Sequence, residues 1–211
     1  MTGTASTRTD SAPRGVRMPR DERRAQLLAA ATDLFVNNGY HATVMDDIAE
    51  HAGVSKPVLY QHFPSKLELY LALLERHTEE LVQRVQAAIA ETHDNWQRIS
   101  NAIGAYFDFV DGDDGAFRLV FESDLRNQPS VQVVVERMYA ACVQAIAQAV
   151  VADAGLDADR AWLVAVGVVG ISEHGARYWL TRRQELSKDE AVALTASLAW
   201  KGLAGFPLQH L

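Results

Sequence analysis

The residues with the clearest chemical purpose fall in one stretch, TVMDDIAEHAGVSKPVLYQHFPSK, residues 43–66. Lys56 and Lys66 are cations that can neutralise phosphates, and Thr43 and Tyr60 carry hydroxyls that can donate to phosphate oxygens. Gln61 bears a carboxamide of the kind that reads a base edge in the major groove. Ser55, Val58 and His62 are expected to face outward beside them, with Pro57 in the same first turn. Upstream, Arg17 and Arg20 arrive just before this segment, where a basic arm can track a DNA backbone or enter the minor groove. A merely solvated tail explains those arginines equally well. The chemistry on offer is recognition of DNA, not the making of bonds.

Such side chains need a rigid carrier, and the stretch reads as two short helices joined by a tight turn. Thr43 is a suitable N-cap for a first helix over residues 44–52, with Asp46 at the third helical position. Gly53 stands where a helix end needs a residue that tolerates positive φ. Ser55 caps the second helix, and Pro57 lies where a missing N–H costs little. Val44, Ile48, Ala49, Ala52, Val54 and Leu59 can close an apolar seam between the two. The pattern predicts a helix-turn-helix whose second helix enters a major groove.

Residues 24–77, with the run AAATDLFVNNGYHATVMDDIAEHAGVSKPVLYQHFPSKLELYLALLERH, resemble the DNA-binding domain of the TetR family of transcriptional regulators. The resemblance occupies about a quarter of the chain in one gapless block. It implies a homodimer on palindromic operator DNA, with the last two long helices pairing with their twofold mates. It also implies a separate effector-binding domain. Within the family, GVSKPVLYQHFPSKLELYLALLERH, FRLVFESD, AVGVVGIS and ARYWL resemble the FasR-type regulators of fatty-acid synthesis. That likeness implies a long-chain acyl-CoA as effector. A regulator of an efflux or catabolic operon answering to another hydrophobic molecule is the competing expectation, and an all-α enzyme the alternative from a different class.

The rest of the 211 residues bears on that choice. The net charge of −7 is unevenly spread: residues 1–66 carry eight Lys/Arg against seven acids, the remainder twelve against twenty. The acidity therefore lies away from the proposed DNA face. The single Cys142 excludes an intrachain disulfide. No uncharged apolar run reaches about 18 residues and no signal-peptide core is evident, so a cytoplasmic protein without a membrane role is expected. Phosphate-loop and dinucleotide motifs are missing, the seven histidines lack metal-ligand spacing, and neither a cofactor nor catalysis is expected.

Apolar positions recur at helical spacing over residues 21–38, 66–92, 96–110, 116–124, 131–154, 159–183 and 188–203. With the two short helices these make nine, an all-α fold. The expected division is a tail over 1–18, a helix-turn-helix domain over 19–66 and a ligand-binding and dimerisation domain over 67–211. The fourth helix, too long for the small domain alone, is expected to carry movement between the two. Small-residue faces over 162–179 and 191–200 suit a dimer interface. Ile103, Tyr106, Phe107, Val110, Phe117, Phe121, Met138, Trp162, Val166 and Gly170 are the candidate lining of an apolar effector site. His174, beside Glu173, is either half of a structural polar pair or a polar anchor for that effector.

Overall fold

The computed structural model of the chain describes residues 18–112 and 115–202. Among them are nine helices and no strand. They are α1 (Arg20–Ala42), α2 (Met45–His51), α3 (Lys56–His62), α4 (Lys66–Ala90), α5 (Asn95–Val110), α6 (Ala116–Phe121), α7 (Pro129–Ala154), α8 (Ala158–Leu180) and α9 (Lys188–Lys201).

Local chemistry sets most boundaries. Ser65 Oγ accepts from Glu68 N (3.1 Å), Asp94 from Gln97 N (2.8 Å), Asp157 from Arg160 N (2.9 Å) and Ser187 from Glu190 N (3.3 Å). Gly39 bends the end of α1 with a φ of 78°. Thr43 departs from the sequence expectation. It is buried, and its hydroxyl donates to Gly39 O (2.8 Å) and lies 3.2 Å from Leu34 O. It ties off α1 rather than capping α2, whose N-cap is Val44 in extended conformation without a side-chain bond. Val44 is accordingly half exposed, and Met45 takes its place in the seam with Ile48, Ala49 and Leu59.

The helices α1–α3 form a small bundle, and α4 leads away from it. In the larger bundle α4 packs on α5 and α7, α7 on α8, and α9 on α5 and α8. One continuous core runs from Leu27 in α1 to Ala196 in α9. The stretch Pro129–Ala152 of α7 is long and apolar enough to cross a membrane by length and composition. Its packing on α4 and α8 gives that apolar character a use inside the bundle. Lys188 bridges Asp108 (2.8 Å) and Asp111 (3.2 Å), fastening the start of α9 to the end of α5.

The joint between the two bundles is aromatic. Tyr40 stacks on Phe35 with centroids 5.8 Å apart, and Tyr70 of α4 meets both rings edge-on. The Tyr70 hydroxyl donates to Leu119 O at the end of α6 (3.2 Å) and lies 2.6 Å from Ser123 Oγ. Lys66 Nζ donates to Tyr40 O (2.8 Å) and Thr43 O (2.7 Å) from above the Tyr40 ring. The start of α4 is thereby fixed to the α1–α2 corner. Lys66→Met should lower stability by about 1–3 kcal/mol, because two carbonyls lose a charged donor. Thermal unfolding checks this, and an unchanged midpoint would show the clamp to be inert.

Candidate functional site

The exposed face of α3 is built on one buried anchor. Leu59 is fully buried, and the rest of the short helix turns outward around it. Ser55, Lys56, Pro57, Tyr60 and Gln61 are exposed, and Val58 and His62 are half-buried. The Ser55 backbone holds the N-cap position, but its hydroxyl makes no capping bond. Gln26 of α1 donates to Ala52 O (2.9 Å), and Arg24 lies over the Phe63 ring at 4.4 Å, so α2 and α3 are braced against α1.

Arg20 and Arg23 flank a cleft of about 540 Å³ against Val58, Gln61 and His62. The His62 imidazole is held below its ordinary pKa, first by burial and then by the charges of Arg20, Arg24 and Arg23. This edge of α3 is thus basic through guanidinium groups, which disfavour a charge on the histidine. Arg17 lies outside the described residues. Lys56 is paired with Asp46 of α2. Lys66 is half-buried, with its ammonium committed to Tyr40 and Thr43 carbonyls. Thr43 and Lys66, expected as phosphate contacts, are therefore clamp residues beneath the face.

In the larger bundle, a cavity of about 310 Å³ lies among α4, α5, α7, α8 and α9. Its apolar wall is Ile89 of α4, Ile99 and Ala102 of α5, Ile146, Ala149 and Val150 of α7, and Val168 of α8. Trp200 of α9, half exposed, adds to the lining, and Asn95 and Arg98 supply its polar part. The Arg98 guanidinium donates to Thr92 O at 2.8 Å. A wider groove of about 1000 Å³ runs between α4, α5 and α9. Its Arg84, Glu91, Asp108, Lys188 and Asp189 are of both signs, and a hydrocarbon matches it poorly.

None of the expected lining residues borders this cavity: α5, α7 and α8 contribute to it at other positions, and α6 does not. Ile103, Tyr106, Phe107 and Val110 of α5 are essentially fully buried and packed. Phe107 meets Trp179 at 5.7 Å, and Phe109 meets Phe121 edge-on at 6.0 Å. Phe117 and Phe121 of α6 and Met138 of α7 are also buried. On α5 the open space lies beside Ile99 and Ala102, just before Ile103, and on α7 it begins two turns after Met138, at Ile146. Burial holds the Tyr106 phenol well above its ordinary pKa, with the neighbouring Cys142 thiol adding to the shift.

On α8 the correction is one of facing. Leu163 is 72% exposed, Tyr178 65% and Trp162 44%. Gly167 and His174 are exposed on the same helix, and Val166 and Gly170 are half-buried. A ring nitrogen of His174 lies 2.9 Å from Gly170 O. Trp162 and His174 thus point outward, not toward an interior ligand. Glu173 turns inward instead and meets Arg177 at 3.4 Å. Gly175 is where α9 comes close, with Thr195 only 3.4 Å from an added Cβ. Sequence reasoning missed Ile89, Arg98, Ala102, Ile146 and Val168. Each reads as an ordinary stripe or surface residue, and only packing leaves a gap beside it.

Residues 27–73 match the family of bacterial regulatory proteins, tetR family. Over 195 residues the chain is 52% identical to the HTH-type transcriptional activator FasR of Mycolicibacterium smegmatis. The alignment covers 92% of this chain and 89% of that one. The chain belongs to the TetR family.

It is a DNA-binding transcriptional regulator, and α3 stands as the second helix of its helix-turn-helix. A Bacillus subtilis relative named fatty acid metabolism regulator protein is 26% identical over 88 residues, 42% of this chain and 45% of that one. Among solved structures, Bacillus subtilis FadR in complex with stearoyl-CoA superposes with a TM-score of 0.71 at 19% identity, covering 85% of this chain and 98% of that one. That likeness establishes the TetR fold. A tetR-family regulator from Streptomyces coelicolor superposes with a TM-score of 0.69 at 28% identity, covering 86% and 80%.

Proposed function

We propose that the chain is a homodimeric cytoplasmic regulator of fatty-acid synthesis genes, released from a palindromic operator when a long-chain acyl-CoA enters the apolar cavity. The observation that carries this is the cavity itself, apolar along four helices and with Arg98 as its single charged lining residue. Each methylene buried there contributes about 0.8 kcal/mol, so a long chain can outweigh large ordering costs. Arg98 and Asn95 suit an anionic or polar head. The 52% identity to a protein named FasR and the stearoyl-CoA in the FadR structure support the same ligand class.

The route to DNA is α4. Ile89 lines the cavity near one end of it, and Lys66 is clamped to the α1–α2 corner at the other. The two are roughly 35 Å apart along one helix. A ligand shifts an equilibrium only by its differential affinity for two states. The chain must therefore fit best with α4 displaced, which carries the clamp, the corner and α3 with it. Two recognition helices set to successive grooves tolerate little such movement.

On the DNA face, Tyr60 and Lys56 take phosphates, Arg20 flanks the backbone, and Gln61 reads a base edge with Ser55, Val58 and His62 nearby. Lys56→Ala or Tyr60→Phe should weaken binding to all sequences. Gln61→Ala should relax preference at one base position by about 1–3 kcal/mol. With roughly four phosphates neutralised per subunit, the log–log salt slope should be about −7. Competition binding on operator and random duplexes checks all of these, and equal losses on both for Gln61→Ala would remove its base-reading role. Genome-wide mapping of binding sites tests the regulatory assignment. Palindromic sites before fatty-acid synthesis genes support it, and sites confined to efflux or catabolic operons contradict it.

A further inference from the structure

We propose that Asp46 is a specificity-determining residue, masking the Lys56 charge from random DNA and aiming it once α3 is seated. The observation is a contact between two helices. Lys56 is the first residue of α3, Asp46 lies in the first turn of α2, and their side chains form an ion pair. Both side chains are more than half exposed, at 59% and 54%. The hydrogen bond that Lys56 donates to Asp46 is the main reason the Lys56 pKa is raised above its usual value. An acid in the first turn of a helix also favours the helix terminus. Asp47, next in sequence, serves that end equally well, and the ion pair to α3 is made by Asp46. So exposed a pair adds little to stability. Its consequence must lie in what approaches from solvent.

Random DNA is held through the number of phosphates a protein neutralises. At a distance a Lys–Asp pair sums to no charge, so in that capture Lys56 only offsets Asp46 and adds no net attraction. Once α3 lies in a groove, short-range geometry decides instead. An ammonium has three N–H donors. One on Asp46 leaves two for DNA oxygens, with the nitrogen already in position. Specificity is a difference of two affinities, and it grows when the wrong complex is weakened. Asp46 weakens the random complex more than the seated one.

The test uses the full chain carrying Asp46→Asn or Asp46→Glu. Binding is measured by fluorescence anisotropy, across a salt series, on a mapped operator duplex and on a random duplex of equal length. Asp46→Asn should bind random DNA about threefold or more tightly at low salt, with a salt slope steeper by about 0.9 per subunit. Operator affinity should gain less, so the ratio of the two falls at least about threefold. Asp46→Glu should restore the ratio. In a Lys56→Gln background, Asp46→Asn should leave the ratio unchanged, a comparison that holds even if the single variant melts earlier. Equal gains on both duplexes, no change on either, or losses on both would overturn the proposal.

Discussion

A chain carrying Leu163→Asp and Leu194→Asp is expected to be monomeric at micromolar concentration and to lose operator binding by at least a hundredfold. Leu163 is 72% exposed on α8 and Leu194 46% exposed on α9, two helices that pack on each other. Trp162, Tyr178 and Leu198 extend the apolar surface at 44%, 65% and 37% exposure. So much exposed apolar area marks an interaction site. In a twofold interface each substitution counts twice. Burying a leucine contributes about 2 kcal/mol. Losing four leucines at the axis therefore removes at least about 5 kcal/mol, several thousandfold in the dimer constant. A monomer presents one α3 to one half-site, and most of the operator affinity goes with the second. Sedimentation velocity together with operator binding checks the result. A dimer that persists would move the interface off α8 and α9.

The second large effect concerns the cavity. Ala102→Phe, or Val168→Phe on the facing wall, should make DNA binding indifferent to acyl-CoA while operator affinity stays within about twofold. Ala102 and Val168 are buried and line the open space, so an added ring enters the cavity. If it displaces six methylenes, ligand affinity falls by about 5 kcal/mol, more than a thousandfold. Neither residue lies near the α3 face, and the Lys66 clamp is untouched. Gly170→Leu, by contrast, should change little, since Gly170 lies outside the lining and a Cβ there meets nothing. Ligand titration by calorimetry and by operator release separates the two. Ligand response retained in both phenylalanine variants would place the effector elsewhere.

Much of this architecture is legible in the residues. Long stripes such as Leu74, Leu81 and Val85 define α4, and Ser65 and Ser187 cap helices because a hydroxyl two or three residues before a backbone N–H is a local matter. What the sequence conceals is decided at long range. Thr43 looks like a cap until α1 folds back and offers two carbonyls. Lys66 looks like a phosphate ligand until the carbonyls of Tyr40 and Thr43 at the same corner take its ammonium. On α5, Phe107 and Ala102 sit on neighbouring apolar turns, and only the packing of Trp179 makes one core and leaves the other beside a void. His174 falls on the outer face of α8 because the inward phase is taken by Ala165, Val169, Ser172 and Ala176.

The most direct test is a titration of the protein–operator complex with acyl-CoAs of increasing chain length. Release should be absent for short chains and should grow steeply as the chain lengthens, because each methylene that reaches the apolar wall adds about 0.8 kcal/mol. Release that is equal for short and long chains, or absent for all of them, would contradict control by a long-chain acyl-CoA.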